Sequence, residues 1–187
     1  GSYWHTILSE RVEPVFMKAL RNLNYNIVVN PETIGSISYL SKRNKTFLKN
    51  LIGGIVLTCT GGPGNKLTFK KSRKDDSELN LLTKIMSKNF NIIKYSATSG
   101  SDERQYCSPG LNLPVGQISR TPYLTYKEYH TSGDNKQFMK IDSIMKSIKE
   151  ISKFIYYFDN LCGSINRRIN GSEIFLDKYN LYKDKRT

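Results

Sequence analysis

The chain has 187 residues, 38% of them hydrophobic and 11% aromatic, with 29 Lys and Arg against 16 Asp and Glu for a formal net charge of +13. That length fits one domain of about 100–200 residues, here 1–187, and the apolar and aromatic content excludes a disordered chain. No run nears the ~20 apolar residues of a membrane span, and three scattered cysteines (Cys59, Cys107, Cys162) make no disulfide scaffold, so a cytoplasmic protein without a membrane partner is expected.

Gly1-Ser2 reads as a remnant of tag removal. From Glu10 to Leu23, Val12, Val15, Phe16, Ala19, Leu20 and Leu23 recur at helical steps, and Pro14 is tolerable in a first turn. Tyr25 to Val29 reads as a buried strand. Thr33 to Arg43 reads as a short helix with Ile34, Ile37 and Leu40 inward. Gly53 to Cys59 is an apolar strand, stopped by Gly61-Gly62-Pro63-Gly64, and Leu67-Thr68-Phe69 is a short third one. Asp75 or Ser77 caps a helix carrying Leu79, Leu82, Ile85 and Met86, and Asn91 to Tyr95 forms the next strand. A polar stretch from Ser96 to Asn135 follows, with one strand at Val115–Ser119. Long loops of this kind are often functional. The last strong element, Lys140 to Leu161, places Ile141, Ile144, Met145, Ile148, Ile151, Ile155 and Phe158 at helical spacing toward a core. The tail beyond Gly163 is basic and polar, with Ile174, Phe175, Leu176 and Leu181 able to pack down. Alternating helices and strands predict an α/β domain with helices on both faces of a sheet.

The positive charge is concentrated. Residues 41–100 carry twelve basic and three acidic side chains, +9, with Lys66, Lys70, Lys71, Arg73 and Lys74 at the centre. Such a segment can gather phosphate polymers or other polyanions, although no nucleic-acid module accompanies it and a solvated basic face is the simpler reading. Gly61-Gly62-Pro63-Gly64-Asn65-Lys66 lacks the Gly-Lys-Ser/Thr ending of a phosphate loop and reads as a tight turn. Cys107 has no base near it in sequence. More informative are the run Gly100 to Gly116 and the run Glu128 to Asn135, which crowd carboxylates, Arg104, Tyr106 and His130 together. Such a cluster can ligate zinc, run acid/base chemistry or be purely structural.

The runs Ser101-Asp102-Glu103-Arg104-Gln105-Tyr106-Cys107-Ser108-Pro109-Gly110 and Tyr129-His130-Thr131-Ser132-Gly133-Asp134-Asn135 carry a family resemblance. They occur with Pro31 to Ser36 and with Leu57-Thr58-Cys59 ahead of Lys71-Ser72-Arg73. Together they resemble the bacterial aminopeptidase-like domain family, related to the cocatalytic zinc exopeptidases and typically more than twice as long. The resemblance implies a zinc-exopeptidase-like α/β fold, a mixed β-sheet sandwiched by α-helices, here in shortened form. It implies zinc as cofactor and a peptide or amide small-molecule substrate. In such sites two zinc ions about 3.5–4 Å apart activate a water, and a Glu moves its proton.

Carried over by position, His130 matches the family's C-terminal metal histidine, and Glu32 matches a base or metal ligand. Cys59 can add a thiolate where Gly62 stands in place of a carboxylate, and His5 is a weak further metal candidate. Asp102 and Asp134 would support ligands, the latter holding the His130 ring. Glu103, Arg104 and Tyr106 would line the substrate side. The chain departs from the family at Ser9, which falls where the bridging Asp belongs, and in lacking the N-terminal metal motif and the C-terminal accessory domain. Three readings follow: a metal-dependent aminopeptidase-like hydrolase, a degenerate non-catalytic binding module, and a binder of nucleic acid or anionic polysaccharide through Lys42–Lys74. Exposed sheet edges would also allow a homodimer.

Overall fold

The computed structural model of the chain describes residues 23–161. Its elements in chain order are α1 (Ile34–Ser41), α2 (Lys45–Asn50), β1 (Gly54–Leu57), β2 (Leu67–Lys70), α3 (Glu78–Met86), β3 (Phe90–Ile93), α4 (Glu103–Tyr106), β4 (Val115–Ser119) and α5 (Ile141–Leu161). The strands form one mixed sheet in the order β1-β4-β2-β3. β1 runs parallel to β4, β4 antiparallel to β2, and β2 parallel to β3.

Side chains alternate across a strand, so each strand divides its residues between two faces. Leu67, Phe69, Phe90 and Ile118 face Leu79, Leu82 and Met86 of α3 and Ile151, Phe154 and Phe158 of α5. Phe154 is the keystone there: its ring stacks on Phe69 at 5.3 Å and meets Phe90 edge-on at 5.7 Å. On the other face Val56 and Val115 meet Leu40, Leu113 and Tyr106 beneath α1 and α4. That face also receives the alternate residues Lys70 and Gln117, whose polarity needs partners.

The strand at Val115–Ser119 forms where its sequence predicts it, and the helix of residues 140–161 forms as α5. Ser77 rather than Asp75 caps α3, its hydroxyl accepting from the Asn80 amide at 3.3 Å. Helix α2 was not anticipated. Its signal is Asn44, whose side chain accepts from the Phe47 amide at 2.7 Å as an N-cap.

The expected strand at residues 25–29 does not form. Among the described residues no strand pairs with it, Ile27 and Val29 are exposed, and Leu23 and Tyr25 are instead tied to Asp159 of α5. In α1 the inward face is Ser36 and Leu40, while Ile34 and Ile37 point to solvent. Ile85, Ile141 and Met145 are likewise exposed. Apolar periodicity marks these helices but misplaces the edge of their buried stripe. The Gly61–Gly64 turn is a packing device: a Cβ on Gly62 would strike the Thr121 hydroxyl, and one on Gly64 the Arg120 carbonyl. The helix predicted over residues 10–23 and the tail beyond Gly163 lie outside the described residues, apart from Leu23.

Candidate functional site

Because β1 and β4 are parallel, their carboxyl ends emerge at one edge of the sheet. There the Cys59 carbonyl accepts from the amides of Arg120 and Thr121 at 3.0 and 3.1 Å, joining the two chain exits. The loop after β4 then folds into an aromatic shell. Tyr129 lies 5.7 Å from both Tyr123 and Tyr126, and Tyr126 stacks on Phe138 at 4.9 Å. His130 stacks on Tyr129 with ring centres 4.0 Å apart. The Tyr126 hydroxyl donates to Cys59 Sγ at 3.6 Å.

Tyr129 is the electrostatic hub of this shell. Burial pushes its phenol pKa up, and the neighbouring charges of Cys59, Glu32, Tyr123 and Asp134 push it the same way. Burial raises the Tyr126 phenol still further, helped by its hydrogen bond to Cys59 and by the charge of Asp134. Both phenols therefore stay neutral at any physiological pH. Buried Asp134 Oδ1 has no hydrogen-bond partner.

Glu32 is held by a second loop pair. Ser101 Oγ donates to Glu32 Oε1 at 2.6 Å, and the Thr33 amide donates to Asp102 Oδ1 at 2.6 Å. These reciprocal bonds clamp the 31–33 turn to the 100–102 turn. The Ile34 amide closes back on the Glu32 carbonyl at 2.8 Å, with Thr33 at φ 63° and ψ −70°, which is the strained form of the γ-turn. Thr33, Cys59, Leu124 and His130 all hold positive φ without being glycine. Strain of this kind collects at functional sites.

Behind the clamp lies a buried ion pair. Lys70 Nζ sits 2.7 Å from Glu103 Oε1, both side chains almost wholly removed from solvent. Lys70 also donates to the carbonyls of Ser96 and Ser99. Glu103 Oε2 accepts from the Ser101 amide at 2.9 Å, and the Gln117 amide, turned nitrogen-inward, lies 3.2–3.3 Å from both Glu103 oxygens. Gly100, at φ +150°, borders this pair, and a Cβ there would collide with both charged groups.

The predicted residues thus divide. His130 stacks on Tyr129, whose phenol also feels the charges of Cys59, Glu32 and Asp134, and Asp102 holds the Glu32 turn. Glu103 was expected to line the substrate side but is fully buried, because its charge is consumed by Lys70. Lys70, expected at the centre of a basic surface, is buried for the same reason. Tyr106 packs into the Leu40–Leu113 core, where burial raises its phenol pKa, and half-buried Arg104 keeps Nε without a partner. Cys107 is wholly buried, with burial pushing its thiol pKa up and its Sγ donating to the Leu113 and Val115 carbonyls. That is an inert, structural thiol.

Among the described residues no three His, Cys, Asp or Glu side chains converge to hold a metal. Glu32 already takes the Ser101 hydroxyl and Cys59 the Tyr126 hydroxyl. These donors alone do not fit a zinc site, which takes at least three protein ligands. His5 lies outside the described residues. Sequence reasoning missed the aromatic shell and the Ser101 hydroxyl. The signal was present in the three-residue spacing of Tyr123, Tyr126 and Tyr129.

Known proteins share this architecture. A Clostridium acetobutylicum protein, named as a putative polysaccharide biosynthesis protein with aminopeptidase-like domain, is 40% identical over 150 residues, covering 76% of this chain and 34% of its own length. This chain therefore spans about a third of that relative. A crystal structure of a putative peptidase from Clostridium acetobutylicum aligns with TM-score 0.62 at 38% identity, covering 70% of this chain and 31% of that one. A Bacillus subtilis zinc aminopeptidase aligns with TM-score 0.54 at 12% identity, covering 66% of this chain and 32% of its own, a likeness of fold alone. The family profile described as a domain of unknown function, DUF4910, matches residues 5–160, and the chain belongs to that family.

Proposed function

We propose that the chain carries an aminopeptidase-like hydrolase site for peptide or amide bonds, with Glu32 as its proton-handling group. The observation that carries this reading is the clamp by which Ser101 and Asp102 hold the Glu32 turn, with the charge of Glu32 felt at Tyr129. With Oε1 held by Ser101, Glu32 Oε2 is left to take a proton from water and pass it to a leaving amine. Neutral Tyr126 and Tyr129 would form the wall against which a substrate rests.

Zinc is the metal that the fold likeness favours. The described residues do not form its site by themselves, and the role of Glu32 stands apart from it. The test is the full chain incubated with zinc, followed by elemental analysis and hydrolysis of an aminoacyl p-nitroanilide. Zinc retention and metal-dependent release, both lost in His130→Ala, are the expected results. No retained zinc together with no release ends the proposal.

A second reading, a non-catalytic binding module, draws on the internal engagement of the Glu32 and Cys59 donors. Saturable peptide binding without turnover would select it. The edge strands β1 and β3 also offer backbone groups for a homodimer, and a monomer mass by light scattering at high concentration would remove that idea.

A further inference from the structure

On the α3–α5 face of the sheet, a groove of about 520 Å³ is lined by Lys66, Lys88, Lys146, Lys149 and Lys153, with Glu150 as its one carboxylate. Glu150 is already spent: its Oε2 lies 2.7 Å from Arg120 Nη2, and that guanidinium is itself buried. Among the described residues none of the five lysines forms an ion pair with an acidic side chain. The Lys66 ammonium is oriented by donating to the Lys88 carbonyl at 3.1 Å. Lys146, Lys149 and Lys153 follow one another at three- and four-residue steps along one side of α5. Like charges at that spacing repel one another and destabilise a helix. Five ammonium groups around one concavity, with no free carboxylate, make a place for a multiply charged anion.

The lining also narrows the anion. Lysines act as point charges without the planar fork of arginine, so they select charge density over shape. The volume falls within the ~300–1,000 Å³ of small-ligand sites. Met86 and Phe90 form an almost fully buried floor, so no ring is exposed for a base to stack on. Four of the five lysines lie outside the basic stretch of residues 42–74, so this groove is distinct from that segment.

We propose that this groove binds a compact oligophosphate group, independently of the hydrolase reading. The test is calorimetric titration of the full chain with inorganic tripolyphosphate at about 50 mM and about 200 mM salt. The expected result is binding that weakens as salt rises and falls at least about tenfold in Lys149→Gln/Lys153→Gln. A control, Lys42→Gln/Lys45→Gln, removes the same charge elsewhere and should stay within about twofold. Absence of binding at the lower salt overturns the proposal, as does equal weakening by the control pair. Tighter binding of a single-stranded oligonucleotide with the same number of phosphates also overturns it, because the surface would then be a nucleic-acid face.

Discussion

Replacing Lys70 with methionine should lower the unfolding free energy by about 3–5 kcal/mol, because it leaves Glu103 charged, buried and without its counter-ion. Gln117 and the Ser101 amide would remain as partners, but neither carries charge. Removing both charges, in Lys70→Met/Glu103→Leu, should recover much of that loss, since two well-packed apolar groups no longer need the pair. Urea denaturation of the three proteins checks this. A Lys70→Met midpoint equal to that of the parent would mean the pair is solvated, and a double variant no better than the single would mean its role is packing. The consequence reaches the site: Glu103 holds the Ser101 amide, and Ser101 in turn holds Glu32. Loosening the core pair should therefore also loosen the carboxylate proposed to handle protons.

That linkage shows which parts of the molecule a sequence exposes. Helices α3 and α5 are legible because apolar residues at helical spacing meet a common core. The failed strand at 25–29 has the right residues but pairs with no strand among the described residues, and pairing depends on the rest of the chain. The exposed sides of α1 and α5 show the same limit, since period alone does not say where a stripe ends. At the site, the motif resemblance pointed to His130, which stacks on Tyr129, and to Glu32, whose turn is tied to Ser101 and Asp102. It could not separate Glu103 from its neighbours, because burial of that carboxylate depends on Lys70, thirty-three positions away. The clamp was invisible for the same reason: Glu32 and Ser101 are 69 residues apart, and nothing local announces their bond.

Glu32→Gln should reduce kcat/KM for an aminoacyl p-nitroanilide by about 10²–10⁴-fold while leaving unfolding within about 1 kcal/mol of the parent. Glutamine keeps the shape and can still accept the Ser101 hydroxyl through its amide oxygen, so the turn and its strained Thr33 should persist. What it loses is the ability to take a proton from water. Ser101→Ala separates positioning from chemistry: it removes the bond at Oε1 without touching the carboxylate, so its loss of rate should be smaller and accompanied by little change in KM. A Glu32→Gln protein hydrolysing at the parent's rate would show that the proton is handled elsewhere. A Ser101→Ala loss as large as that of Glu32→Gln would instead show that the clamp, rather than the carboxylate's basicity, limits the reaction.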